Sequence, residues 1–316
     1  MARQYGWNNT LIFAYEGTYG TAEASGEYYK LPFVSCDLGM DQALIEDDIM
    51  GLGRDPQAPT YDLKRVTGQV VVPLDLRNIG YWLKLAFGNP ATSGTGPYTH
   101  IWTSGGTSLP SACIEIAHPS VPAYFMNTGV RCESIAFSVS RTAPPTATLQ
   151  LVGRGEAKAT SATDADPNTL AVVRFDAFEG VINRSGSALS NVVSADLSYS
   201  NNLEVVETLR ADALIEAAEP GMSALTGSIT SRFGATTLYD DAIAQSGLDI
   251  QMKYTSGAHS LTLEAQKAYL PVSKRNISGP GGVEFTSDFQ GADDSSEGEM
   301  FAVTLVTPDT GTYINA

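Results

Sequence analysis

The chain has 316 residues, of which 43% are hydrophobic and 17% charged, with 30 glycines and 16 prolines. This is the make-up of a folded, turn-rich protein and excludes a disordered one. With 35 acidic against 19 basic side chains, the formal charge of −16 excludes a surface built to hold nucleic acid, which needs clustered lysine and arginine. On charge alone the favoured reading is that acidity of this kind maintains solubility, though it also suits a surface past which DNA slides without sticking.

The length exceeds what one hydrophobic core usually fills and predicts two domains. Residues 11–15, an apolar run of Leu11, Ile12, Phe13, Ala14 and Tyr15, open the chain as a short strand. The run is too short for a signal or membrane segment, so synthesis and folding in a cytoplasm are expected. A second strand is predicted over 29–38. Residues 39–64 follow, carrying Glu46, Asp47, Asp48, Gly51, Gly53, Arg54, Pro56 and Pro59. They are too broken for a core element and predict an extended loop or hairpin arm.

Val66, Val70, Val72 and Leu74 alternate along 65–74, the period of a half-buried strand. The period then changes. Ile79, Trp82, Leu83, Ala86 and Phe87 recur at helical spacing, predicting an amphipathic helix over 76–87 ended by Gly88. Further strands are expected around Ala112–Ile114–Ile116, Ile135–Phe137–Val139 and Ala147–Leu149–Leu151. Residues 155–168 lack large apolar side chains and read as a linker or mobile loop. A second arm is expected over 198–224, with Leu209 and Arg210 near its tip. A strand over 225–233 follows, and then a weaker helical stripe of Leu238, Tyr239, Ala242, Ile243 and Ser246, ended by Gly247. Strands around Leu261–Leu263–Ala265, Val283–Phe285 and Phe301–Val303–Leu305 complete the chain.

The two halves repeat one another. Val34-Ser35-Cys36-Asp37-Leu38 recurs as Val193-Ser194-Ala195-Asp196-Leu197, Thr67-Gly68 as Thr226-Gly227, and Gly88 as Gly247. Each pair is 159 apart (193−34, 226−67, 247−88), close to half the chain. A tandem duplication of one mainly β module follows: a β-sandwich or barrel with a flanking α-helix and a long arm, over residues 1–157 and again over 160–316. Two similar modules favour an assembly protein over an enzyme. The repeated Gly68 and Gly227 predict a shared bulge or close backbone approach.

The chemistry-bearing residues are sparse. His100, His118 and His259 are dispersed and in no metal-ligand spacing. There is no phosphate loop, dinucleotide fingerprint or nucleophile elbow. Cys36, Cys113 and Cys132 form no disulfide framework and point to a reducing compartment. Paired carboxylates at Asp47-Asp48, Asp240-Asp241 and Asp293-Asp294 read as solvated loop charges, and Asp288, Asp293, Asp294 and Glu297 miss the spacing of a calcium loop. No catalytic residue, cofactor or metal site is expected.

The segments Glu16-Gly17-Thr18-Tyr19-Gly20-Thr21, Leu31-Pro32-Phe33-Val34-Ser35 and Thr67-Gly68-Gln69-Val70-Val71-Val72-Pro73-Leu74-Asp75, with Ile79-Gly80-Tyr81-Trp82-Leu83, carry a likeness. So does Phe175-Asp176-Ala177-Phe178-Glu179-Gly180. They resemble the tail tube proteins of long-tailed bacteriophages. Gly17 departs from the pattern, standing where a threonine is frequent.

The resemblance implies a domain that closes into rings of six, stacked into a hollow conduit for DNA in the virion tail and assembled in the host cytoplasm. With two modules per chain it implies a trimeric, pseudo-hexameric ring. Implied partners are further copies of the chain, the tail terminator, tape measure and distal tail proteins, and double-stranded DNA in passage; no membrane is expected. Glu46, Asp47, Asp48, Arg54, Leu209 and Arg210 are the candidates for contact between rings. Ile79, Trp82, Leu83, Phe87, Leu238, Ala242 and Ile243 are expected to pack the helices. The alternative reading is a carbohydrate-binding β-sandwich of a tail or surface appendage, which does not explain why arm and helix recur with the sandwich. A polysaccharide hydrolase rests on the carboxylates alone.

Overall fold

The structure, a computed structural model, describes residues 3–308 except 47, 52, 142, 276, 278, 280 and 295–297. The N-terminal half contains β1 (Thr10–Tyr15), β2 (Tyr29–Lys30), β3 (Ser35–Cys36), β4 (Gly39–Ile45), β5 (Thr60–Pro73) and helix α1 (Ile79–Phe87). After the helix come β6 (Ala91–Ser93), β7 (Tyr98–Thr103), β8 (Ala112–His118), β9 (Ala123–Ser140), β10 (Thr146–Gly153) and β11 (Gly155–Ala159). The C-terminal half contains β12 (Asn168–Thr169), β13 (Gly180–Arg184), β14 (Ser187–Ala188), β15 (Val192–Ser200), β16 (Glu204–Val206), β17 (Ala217–Glu219) and β18 (Ala224–Arg232). Helix α2 (Thr237–Ala244) precedes β19 (Leu248–Ser256), β20 (His259–Tyr269), β21 (Glu284–Gly291) and β22 (Phe301–Thr307). The fold is mainly β.

In the N-terminal half the strands pair in the order β1, β8, β9, β10, β5, with β3 and β4 on the outer side of β5. In the C-terminal half the order β13, β19, β20, β21, β18, β15 is the same arrangement. The register agrees as well. Ser35 faces Val71, Cys36 faces Val70 and Gly39 faces Thr67; adding 159 to both members of each pair gives Ser194–Thr230, Ala195–Ile229 and Ser198–Thr226, all of which are found. Since a one-residue slip would turn every side chain to the opposite face, agreement over several pairs is a demanding coincidence.

The halves are not separately packed. Strand β9 leaves one sheet and enters another. Its first part pairs with β8 and β11, its last part with β10, and on its other side it pairs with β15, Phe137 opposite Leu197. The corner lies at Gly129, whose φ of 65° is disfavoured for a side chain with a Cβ, and a Cβ there would meet the Arg154 side chain and the Tyr19 ring. Strand β22 likewise reaches back to pair with β7, Val303 opposite Trp102. One apolar cluster therefore runs from Leu11 and Phe13 through Trp82, Ile135 and Tyr199 to Met252, Phe301 and Leu305.

Helix α1 is shorter and more enclosed than its apolar stripe predicts. It begins at Ile79, because the buried Asp75 carboxylate accepts the backbone N–H groups of Asn78 and Ile79 at 3.0 and 2.9 Å and holds the chain out of helix until there. It is amphipathic in sequence but buried on every side. Tyr81, about 120° around the helix from Phe87, packs against Tyr29 with ring centroids 4.7 Å apart, and Phe87 packs on Tyr199 at 4.7 Å and on Phe301 at 5.7 Å. The face between them carries Lys84, whose ammonium lies 4.2 Å over the Tyr15 ring, a cation–π contact that replaces part of its lost hydration. Gly88 closes the helix with φ 94°, donating its N–H to the Lys84 carbonyl at 2.8 Å. Ile79, Trp82, Leu83 and Phe87 are all buried.

Helix α2 is the poorer counterpart. Leu238 and Ala242 are buried, but Ile243 is 56% exposed and takes no part in packing: only one narrow stripe of this two-turn helix meets the sheet. Its end is set by Gln245 in the left-handed region, two residues before the expected Gly247. The expected linker at 155–168 is anchored. It starts as β11, paired with β9; Thr163 donates to Glu115 from both its N–H and hydroxyl, and Asp164 accepts from Gly26 at 2.9 Å and Ser25 at 3.2 Å.

Candidate functional site

The β9–β15 junction fuses the two half-sheets into one surface, in the order β4 and β3, β5, β10, β9, β15, β18, β21. Its two faces differ by the period-two rule. Val70, Leu149, Ile135, Ala195, Leu197, Tyr199, Leu225, Ile229, Phe285 and Phe289 point into the core. The other face carries Gln69, Thr148, Gln150, Ala136, Ser138, Asp196, Ser198, Thr226, Ser228, Asp288 and Gln290, which are part or fully exposed. Across this central band the charges among the described residues are the carboxylates Asp196 and Asp288, with Asp37, the counterpart of Asp196, accepting the Gln69 N–H at the edge beside β5; the nearest cations in β5 and β18 are Arg65, within its strand, and Arg232, at the end of its own. An open groove of ≈ 800 Å³ runs along it, lined by Ser138, Asp196, Ser228, Asp288 and their neighbours and walled by Tyr269, Leu270 and Pro271.

The two glycines repeated at an offset of 159 (227−68) sit in this sheet for a steric reason. A Cβ on Gly68 would collide with the backbone of Leu38, and one on Gly227 would collide with the Phe289 ring and the Asp196 carbonyl. The spacing of side chains, visible as Ala195-Asp196-Leu197, marks Asp196 as outward-facing. What the sequence alone misses is that Asp196 lies beside Ser138, a neighbour contributed by the other half.

The arms take definite form. Residues 39–64 are largely a hairpin of β4 and the start of β5, Gly39 opposite Thr67 and Ile45 opposite Thr60. Glu46, Asp48 and Arg54 lie exposed at its tip; Asp47 lies outside the described residues. The second arm contains the small hairpin of β16 and β17 and a turn on which Leu209 is fully exposed. The base of the first arm touches the second arm near its tip, where the Lys64 N–H donates to the Ala213 carbonyl at 2.8 Å and Arg65 lies 3.1 Å from Glu207. Arg210 pairs with its near neighbour Asp212 at 2.8 Å and not with the acidic tip of the first arm; that guanidinium holds the Asp212 carboxyl well below the usual carboxylate range.

The other candidate chemistry is dispersed. His100 is buried against Trp102 and bonded to the Thr92 hydroxyl, and His118 bonds Asn9. Asp241 is held by Arg184 in a two-point ion pair. Among the described residues no group of three or more His, Cys, Asp or Glu side chains is placed to hold a metal, and Glu297 lies outside them. No helix among them is long and apolar enough to cross a membrane.

The model of the phage tail tube protein family matches residues 6–291, nearly the whole chain. The chain belongs to that family. No curated protein matches it. A tail tube protein has a structural role in the virion tail, assembling with copies of itself into a tube and with other tail proteins. For this tail tube protein the features to explain are therefore surfaces: a broad, mostly neutral sheet face broken by a few carboxylates, two exposed arms, and sheet edges.

Proposed function

We propose that this chain is the repeating subunit of the tube wall, that residues 1–157 and 160–316 are duplicated tube modules, and that three chains close a pseudo-hexameric ring. The observation that carries this reading is the β9–β15 junction, which joins two half-sheets of matching order and register side by side within one chain. A head-to-tail contact of that kind generates a ring when its rotation closes and a filament when it does not.

The face bearing Asp196 and Asp288 is assigned to the lumen. Neutral hydroxyl and amide groups hydrate the wall without attracting phosphate, and the carboxylates repel it, so DNA passes without the counterion-releasing contacts that would hold it. The exposed arm tips, with Glu46, Asp48, Arg54 and Leu209, are assigned to contacts with the next ring. Terminator, tape measure and distal tail proteins bind the ends and interior of the stack, assembly takes place in the host cytoplasm, and the role is non-enzymatic.

Negative-stain electron microscopy of the concentrated protein tests this directly. Hollow tubes whose end-on views have threefold or pseudo-sixfold symmetry are expected. Rings with six whole chains would overturn the trimer, and particles that never polymerise would overturn the subunit reading.

A further inference from the structure

The internal repeat specifies how one chain meets the next. In the N-terminal half Thr67 faces Val152, which faces Arg131; in the C-terminal half Thr226 faces Gln290, which faces Tyr269. Thr226 answers to Thr67, so Gln290 answers to Val152 and Tyr269 to Arg131, both 138 apart (290−152, 269−131). In the N-terminal half the chain continues past Arg131 as the last part of β9 and pairs with β15. Past Tyr269 the equivalent stretch, 272–275, forms no strand, and Val272 is 53% exposed.

The receiving edge is also open. β15 is paired on both sides, by β18 and by β9, whereas among the described residues its counterparts β3 and β4 are paired by β5 alone. The outward backbone N–H of Met40 is met by a side chain, the Glu156 carboxylate at 3.2 Å. Tyr199, which answers to Met40 (199−159), lies opposite Ile135 of β9 instead. An exposed edge of this kind is a template for another strand.

We propose that residues 272–275 of one chain add as an antiparallel strand to the outer edge of β3 and β4, at residues 38–41, of a second copy. This rests on the ring reading above and supplies its interface. Shifting the intrachain pairs Phe137–Leu197, Ala136–Ser198, Ile135–Tyr199 and Ser134–Ser200 by +138 and −159 sets Arg275 opposite Leu38, Lys274 opposite Gly39, Ser273 opposite Met40 and Val272 opposite Asp41. The charges agree. Lys274 and Arg275 are adjacent cations in an acidic chain, and Asp37 and Asp41 flank the edge they would join. Complementary charge of this kind fixes register and speeds encounter.

The test uses the full chain in a Cys36→Ala background, which places at 36 the residue found at 195. Met40→Cys is combined in turn with Val272→Cys, Ser273→Cys and Lys274→Cys, and tubes are oxidised and run on non-reducing gels. Interchain cross-links running to closed trimers, strongest with Ser273→Cys, are expected. Lys274→Pro is the second arm. Its site is in no strand of the free chain, so the thermal melt should not move, while the critical concentration for tube formation rises about tenfold or more. Tubes that form without any of the three cross-links, and at an unchanged critical concentration with Lys274→Pro, overturn this interface and leave the tube subunit intact. Failure of the parent chain to form tubes overturns the subunit reading and the interface with it.

Discussion

At the scale of single residues, steric and electrostatic strain concentrate at a few positions with clear consequences. A Cβ at Gly68 would strike the Leu38 backbone, which has no rotamer to escape into. Gly68→Ala and Gly227→Ala should therefore each cost about 1–3 kcal/mol in denaturant unfolding, the usual range for overpacking. Gly6→Ala, with nothing within 4 Å, serves as the neutral control. A cost at Gly68 no greater than at Gly6 would remove the close-approach account. Asp249 offers a pH prediction. Burial, with Glu264 nearby adding repulsion, pushes its carboxyl up to about 6 from an ordinary 3.8. A raised carboxyl means the folded state holds the proton more tightly, so its contribution is fully present below the ordinary value and is lost as pH rises through about 6. Asp249→Asn should remove that loss, stabilising the chain by roughly 1 kcal/mol at neutral pH, once solvent screening at this part-exposed site is allowed for, and by little at pH about 4. Melting temperatures across that window read the difference; a variant whose advantage is the same at both ends would refute the assignment.

At the scale of elements, helix α1 depends on one buried carboxylate. Asp75 accepts both leading N–H groups of the helix and an Asn78 side-chain N–H at 2.6 Å, despite burial that raises its carboxyl. Asp75→Ala should cost about 2 kcal/mol, since it strands those donors in the core, and Asp75→Asn should recover part of it, read by chemical denaturation. An Ala variant as stable as the parent would show that the cap is dispensable. Much of this layer was legible in the chain: the alternation of Val66, Val70 and Val72 located β5, and Gly88 located the end of α1. The hairpin of β6 and β7 was not, because Ala91, Thr92 and Ser93 are all exposed and carry no apolar period. The burial of Lys84 was hidden for a related reason: a lysine on a helix reads as a solvent-facing residue unless the aromatic ring that covers it, here Tyr15 from β1, is known to be there. The arms were foreseeable from their broken composition, but the continuous polar band was not, since alternating Ser and Thr mark the polar face of any sheet and only the β9–β15 register aligns them across both halves.

At the scale of the whole molecule, charge placement separates a wall that passes DNA from one that holds it. The net −16 of the chain is spread over its surface, and Asp196 and Asp288 are the carboxylates set among neutral side chains in the middle of the polar sheet face. Reversing both to lysine leaves the core untouched, because each side chain projects from the outward face between buried neighbours. Assembly should therefore proceed, giving tubes of unchanged diameter by electron microscopy. Their behaviour towards DNA should not be unchanged. Each ring would present a closed array of ammonium groups to a duplex carrying about one charge per 1.7 Å, and every phosphate neutralised adds about 0.9 to the logarithmic salt slope. Short duplexes should enter and be retained by the reversed tubes at about 50 mM salt and be released steeply towards 200 mM, while parent tubes retain none. In phage particles the same substitution should slow genome ejection with intact tails. Retention that is no greater than in the parent would place these carboxylates away from the lumen. It would equally require turning the sheet over or outward, because the opposite face is the hydrophobic core and no other broad face of this fused sheet is available to line a conduit.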